Sequence, residues 1–234
     1  MTKLGIIGAM EIEVAILKSK LENARVTRVG PMEFFEGTLA GCEVVIVMCG
    51  VGKVHAAMCT QVLCSSFGVN AIVNTGVAGS LDAQLDICDV LISTDAIQHD
   101  MDVTHLGYDV GKVPGLDVRA FPADEKLRRL AFEVSEAIRP GHTKMGRVAT
   151  GDQFVSSQAL KNRIIADTAA KCTEMEGAAI AQVAYVNQVP FVILRAISDK
   201  ADGSAELDYP TFERKAAANC AAVTEALAKK LAEE

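Results

Sequence analysis

The 234-residue chain is half hydrophobic, has no tryptophan and only 5% aromatic residues, so it can bury a large core, and that core must be aliphatic. Its formal charge is −7 with no Lys/Arg cluster to offset it, which leaves no basic stripe for nucleic-acid phosphates. The longest apolar stretch, residues 44–51, is far shorter than the roughly 20 residues of a membrane-spanning helix.

In chain order, residues 3–8 read as a buried strand and 11–21 as the helix after it. Residues 34–39 and 42–48 flank Gly41 and read as a hairpin. Helical character follows over 54–67, then an apolar strand over 71–75 that ends in Gly76-Val77-Ala78-Gly79. Another strand is expected over 89–94. Residues 98–121 carry Gly107, Gly111, Pro114 and Gly115 and read as a long ordered loop.

Residues 124–138 form a helix bracketed by Pro122 and Pro140. A strand over 144–150 and a helix over 157–165 come next. A helix over 176–187, a strand over 191–197 after Pro190, and an Ala-rich helix over 209–231 complete the chain. The alternation of strands and helices predicts one α/β domain over residues 1–234, with a mixed, mostly parallel sheet between helices.

The cysteines are Cys42, Cys49, Cys59, Cys64, Cys88, Cys172 and Cys220. Their number is odd, none forms a C-x-x-C pair, and several lie in apolar runs, so a reduced cytoplasmic protein is expected. The first apolar run meets Glu11 and Glu13 too early for a signal peptide.

Several short motifs invite a functional reading. Gly5-Ile6-Ile7-Gly8 is not a dinucleotide fingerprint, and Gly50-Val51-Gly52-Lys53 lacks the spacing of a phosphate-binding loop. Both read as turn chemistry when taken alone. Gly76-Val77-Ala78-Gly79 closes an apolar strand with small residues, which allows either a ligand or a helix to approach the backbone. His99-Asp100-Met101-Asp102 and His105 match no standard zinc spacing, so a hydrogen-bonded loop is expected and no metal. His55 and His142 have no nucleophile partner, and no G-x-S-x-G elbow occurs.

Carboxylates carry the strongest signal. Glu174 and Glu176 flank Met175, and two such residues reach one site only at the end of an element. Arg195 and Asp199 close an apolar strand, a place where ionisable residues line sites or pair with a nearby acid. Glu13 follows the first strand.

The motifs Gly8-Ala9-Met10-Glu11-Ile12-Glu13-Val14, Asn74-Thr75-Gly76-Val77-Ala78-Gly79, His99-Asp100-Met101-Asp102-Val103-Thr104, Gly151-Asp152-Gln153-Phe154, Glu174-Met175-Glu176 and Arg195-Ala196-Ile197-Ser198-Asp199 occur in this order. The series resembles the bacterial 5′-methylthioadenosine/S-adenosylhomocysteine nucleosidases of the nucleoside phosphorylase superfamily, over nearly the whole chain. The resemblance implies hydrolysis of an N-glycosidic bond in small 5′-thio-substituted adenosine nucleosides, without a cofactor. It implies that Glu13 activates water, that Asp199, oriented by Ser198, protonates the purine at N7, and that Glu176 binds the ribose hydroxyls with Arg195 and Glu174 nearby. Met175 would pack on the sugar and Phe154 on adenine, with the Val155 backbone bonding the base edge. Met10, Val51 and Val77-Ala78-Gly79 would border ribose and water, and Tyr209 would form part of a lid. The resemblance also implies a homodimer in which Val103, Leu106, Tyr108 and Pro114 reach the neighbouring subunit's site.

Elementary chemistry agrees with this division of labour. Cleavage builds positive charge on the sugar, which anionic side chains favour, and the departing base needs a proton. A carboxylate in the first turn, with no arginine beside it, suits water better than phosphate. Two departures stand out: Val77 replaces a small polar residue of relatives, and Tyr209 a common Phe. Hydrolysis of a futalosine-type nucleoside, phosphorolysis, and a binding protein without catalysis are the competing readings.

Overall fold

The computed structural model describes residues 2–234. β1 (Lys3–Gly8) is buried along Leu4–Gly8 and lies between two parallel neighbours, β4 (Cys42–Met48) and β5 (Ala71–Ser80). A strand with a neighbour on each edge and helices on both faces needs apolar residues throughout, and Leu4, Ile6 and Ile7 supply them. α1 (Glu11–Ser19) follows at once, so its first turn lies at the carboxyl end of β1.

The predicted hairpin forms β3 (Met32–Leu39) and β4, paired antiparallel with Phe35 opposite Ile46. Ahead of it lies β2 (Glu22–Val29), an edge strand that hydrophobic patterning does not reveal. Most of its residues are solvent-exposed, among them Glu22, Arg25 and Val26, so no apolar alternation marks it. Charged residues on an edge also oppose pairing with another chain.

α2 (Lys53–Ser66) leads into β5, which runs on through Gly76-Val77-Ala78-Gly79 to Ser80 instead of turning there. β10 (Phe191–Asp199) pairs in parallel with this extension up to Gly79, and β9 (Cys172–Glu174) pairs antiparallel with its end. The small residues therefore permit close side-chain approach to a strand rather than mark its end. A Cβ on Gly76 would collide with the Arg195 guanidinium and the Glu13 carboxylate.

β6 (Val90–Gln98) extends past its predicted end with a register shift between Ser93 and Asp95. There Asp95 accepts two hydrogen bonds from Arg147, at 2.6 and 3.1 Å, so the polar break in the pattern is a bulge with its charge paired. The loop after β6 contains one short 3₁₀ turn (Thr104–Leu106) and returns through β7 (Phe121–Pro122). α3 (Glu125–Ile138) is capped by Asp124, whose side chain accepts the Leu127 N–H at 2.9 Å.

β8 (Thr143–Thr150), α4 (Gln158–Thr168), α5 (Gly177–Val186) and α6 (Ala205–Ala232) complete the fold. Ser157 caps α4 in the same way as Asp124 caps α3. α6 begins one turn earlier than the Ala-rich pattern suggests, because Pro210 lies inside it and masks the first turn.

The sheet is mixed. β1–β4, β1–β5, β5–β10, β6–β8 and β8–β9 are parallel, while β2–β3, β3–β4, β5–β9, β6–β7 and β6–β10 are antiparallel. The pairings β10–β6–β8–β9–β5–β10 close into a ring. α1, α3 and α6 cover one aliphatic layer and α2 and α5 the other. The carboxyl end of β5 thus lies between β9 and β10, and its small residues are flanked by Glu174 on β9 and by Arg195 and Asp199 on β10. Among the described residues no helix is long and apolar enough to cross a membrane.

Candidate active site

Glu13 is in the first turn of α1, and its side chain folds back toward the end of β1. It accepts the N–H groups of Ala9 at 2.7 Å, Met10 at 3.0 Å and, from β5, Val77 at 3.0 Å. The bond to Met10 is the return half of a capping box, so helix initiation and site geometry share one carboxylate. Burial raises its pKa, opposed by Arg195 and by the three backbone donors.

Arg195, on β10, is almost wholly enclosed. It bonds Glu174 closely, donates to Asn74 Oδ1 at 2.7 Å and the Val77 carbonyl at 3.2 Å, and lies 3.4 Å from Glu176 and 3.7 Å from Glu13. Glu174 ends β9 and Glu176 immediately precedes α5, so the two reach one cation across an element boundary. Glu174 is tied down further by Thr150 Oγ1 and the Gly177 N–H. Glu176 accepts the Gly52 N–H at 2.9 Å, which gives the Gly50-Val51-Gly52-Lys53 turn its structural task. Three buried acids surround one arginine. Burial, against the opposing pull of Arg195 and with added repulsion from Glu174 and Glu13, pushes the Glu176 carboxyl up to about 7.

Asp199 closes β10 beyond this cluster. Its carboxylate accepts the Ser198 hydroxyl at 2.9 Å and the Ala201 N–H at 2.8 Å, and burial raises its pKa against these bonds. Gly79 lies under it, where any Cβ would come within 2.8 Å of Oδ1.

These groups share a cavity of about 260 Å³. Every residue expected from the sequence for one subunit's site lines it: Glu13 and Met10; Val51; Val77, Ala78 and Gly79; Phe154 and Val155; Glu174, Met175 and Glu176; Arg195, Ser198 and Asp199; and Tyr209. At the mouth Phe154 and Tyr209 meet edge to face, 5.7 Å between ring centres, and the Tyr209 hydroxyl reaches Met10 Sδ at 3.3 Å. Among the described residues no hydrogen bond engages the Val155 backbone.

Ala9, Gln153 and Thr173 also line the cavity and were not anticipated as site residues. The first two lie within recognisable motifs. Thr173 lies in the three-residue β9, too short to leave a periodic trace.

Val103, Leu106, Tyr108 and Pro114 do not line this cavity. They lie on the loop between β6 and β7, with Leu106 72% exposed. The His99–Asp102 stretch is a bonded loop: Asp100 pairs with Lys53 at 2.7 Å and accepts the Asp152 N–H at 2.9 Å. Among the described residues no group of three His, Cys, Asp or Glu side chains could hold a metal ion.

The sequence matches the phosphorylase superfamily over residues 3–229. A Staphylococcus aureus 5′-methylthioadenosine/S-adenosylhomocysteine nucleosidase is 42% identical over 231 residues, covering 97% of this chain and 100% of its own. The chain belongs to the phosphorylase superfamily. The Neisseria meningitidis 5′-methylthioadenosine/S-adenosylhomocysteine nucleosidase in complex with methylthio-immucillin-A superposes with a TM-score of 0.95 at 36% identity, over 98% of this chain and 100% of that one. The Helicobacter pylori futalosine hydrolase superposes with a TM-score of 0.93 at 33% identity, over 98% of each chain. The superfamily therefore accommodates more than one nucleoside on this frame, and side chains around the cavity must set the choice.

The raised Glu176 carboxyl has a consequence for stability. Between the ordinary value of 4.5 and about 7, the folded protein holds a proton that the unfolded chain has released, so stability falls as pH rises through that window. Glu176→Gln removes this proton uptake. It is expected to flatten the fall of melting temperature between pH 5 and 7, with a change in slope of up to about 1.4 kcal/mol per pH unit. Parallel melting curves for variant and parent across this range would contradict the assignment.

Proposed function

We propose that this chain hydrolyses the N-glycosidic bond of 5′-methylthioadenosine and S-adenosylhomocysteine, releasing adenine and the thioribose sugar. The convergence of Glu13, Glu176 and Asp199 on one cavity carries this reading. The 42% identity to a nucleosidase of that specificity supports it.

In the proposed reaction Glu13 takes a proton from water as the oxygen attacks the anomeric carbon. Its raised pKa suits a group that must accept and later release a proton. Glu176 holds the ribose hydroxyls, and its negative charge favours the oxocarbenium character of the transition state. Asp199, also raised, passes a proton to purine N7 as the bond to N9 breaks. The electron pair of that bond leaves with the base, and Ser198 aligns the carboxyl. Phe154 stacks on adenine, Val155 offers its unengaged backbone to the base edge, and Met10, Met175 and Tyr209 enclose the sugar.

Water is favoured over phosphate as the nucleophile. Among the described residues Arg195 is the only basic one in the cavity wall, and three carboxylates surround it. A phosphate dianion would find no cation to pair with.

A homodimer completes the reading. Val51 and Phe154, at the cavity mouth, are about half exposed at 50% and 49%, and Leu106 is more so. An apolar loop bearing Val103, Leu106, Tyr108 and Pro114 from a second copy would cover them. The proposed compartment is the cytoplasm, in keeping with seven free cysteines.

Adenine release measured in phosphate-free buffer tests the function. Turnover of methylthioadenosine and adenosylhomocysteine, at rates well above those for futalosine, is expected. Strict dependence on added phosphate, with ribose 1-phosphate-type products, would replace hydrolysis by phosphorolysis. Dominant turnover of futalosine would move the substrate to the alternative.

A further inference from the structure

Two polar atoms of the cavity wall are buried without a hydrogen-bond partner, Arg195 Nε and Thr173 Oγ1. The other two guanidinium nitrogens of Arg195 both donate hydrogen bonds. Thr173 has only its hydroxyl, and the residue is 5% exposed. A buried hydroxyl with no protein partner calls for one from elsewhere. Valine would fill the same β-branched volume on a strand and leave nothing unpaired.

Strand register places Thr173 at the Asp199 end of the cavity. Thr173 on β9 is directly opposite Gly79 on β5, and Gly79 pairs with Asp199 on β10. Directly opposed residues project from the same face of a sheet. The Asp199 carboxylate lies over Gly79, so Thr173 is next in that row, two strand spacings, or roughly 10 Å, from Asp199 along the backbone. A flat heterocycle bound to Asp199 by one edge would extend along this row toward Thr173. The carboxylates that serve the sugar cluster instead about Arg195.

We propose that Thr173 is a specificity residue that reads the base, its hydroxyl donating a hydrogen bond to a ring nitrogen of the bound purine. This rests on the nucleosidase reading and adds to it a polar contact distinct from Asp199 and the Val155 backbone.

The test compares Thr173→Val, which keeps shape and loses the hydroxyl, with Thr173→Ser, which keeps the hydroxyl and loses a methyl. Inhibition constants for adenine and for 5-methylthioribose separate the two ends of the site. Thr173→Val is expected to weaken adenine roughly 3- to 10-fold, to raise KM for methylthioadenosine more than it lowers kcat, to leave methylthioribose unchanged, and to keep or raise the melting temperature, since it removes an unpaired buried hydroxyl. Thr173→Ser is expected to stay within about twofold of the parent for adenine, since it retains the donor. Adenine binding that survives in Thr173→Val, or falls equally in both variants, would overturn the proposal. So would an equal loss for adenine and methylthioribose. Failure of the unaltered protein to release adenine from any 5′-thioadenosine would instead remove the nucleosidase reading itself.

Discussion

Glu13→Gln and Asp199→Asn are each expected to lower kcat for adenine release by about 10²- to 10⁴-fold, the usual contribution of a positioned acid or base. The two losses have different causes, and a substrate with another leaving group separates them. In p-nitrophenyl 5-methylthioriboside the leaving group is p-nitrophenolate, which takes the electron pair of the glycosidic bond and departs without needing a proton. Asp199→Asn should cleave it at close to the parent rate, while Glu13→Gln, which cannot activate water, should remain slow. Adenine binding should survive in Glu13→Gln, because Glu13 lies beside Val77 and Arg195 and away from the row of Asp199, Gly79 and Thr173. Release of adenine by Glu13→Gln at more than a tenth of the parent rate would remove Glu13 from the proposed role.

Arg195→Met is expected to cause the largest loss of stability, about 3–5 kcal/mol. The guanidinium offsets Glu13, Glu174 and Glu176, and all four side chains are buried. Methionine keeps much of the stem volume, so the loss would report charge rather than packing. For a domain of this size the melting temperature should fall by roughly 6–20 °C. The defect should shrink at pH 5 relative to pH 8. Protonating a buried acid removes a charge that no longer has a partner, so stability lost by the variant returns as pH falls. A melting temperature within 3 °C of the parent at pH 8 would show that the acids are already neutral or otherwise compensated. Arg195→Lys should rescue only partly, because an ammonium cannot reproduce the divergent bonds to Asn74, Val77 and Glu174.

Strands buried on both faces announce themselves as continuous apolar runs, and β1, β4 and most of β10 are legible for that reason. α3 is legible through Pro122 and Pro140 on either side of it, and the structure adds the local caps Asp124 on α3 and Ser157 on α4. β2 escapes detection because its residues are largely solvated, and β9 because three residues are too few to show a period. The extension of β5 through Gly76 and Gly79 escapes because small residues signal a turn locally. Here they are required by Arg195, Glu13 and Asp199 approaching from other elements.

The candidate site follows the same division. Glu13, Glu176 and Asp199 could be chosen by residue type and motif order, since the chemistry of a carboxylate belongs to the side chain itself. Which of the two neighbouring acids anchors and which meets the sugar follows only from the resemblance, not from the residues themselves. Glu174 and Glu176 are two positions apart and look equivalent on paper. Folding ties Glu174 to Arg195, Thr150 and Gly177 and leaves Glu176 facing the cavity with its carboxyl raised. Protonation depends on burial and on distances between groups far apart in the chain, and only packing of β5, β9 and β10 around one arginine sets those distances. Thr173 makes the same point: its hydroxyl is unremarkable in a list of residues, and becomes informative once the strands on either side have denied it a partner.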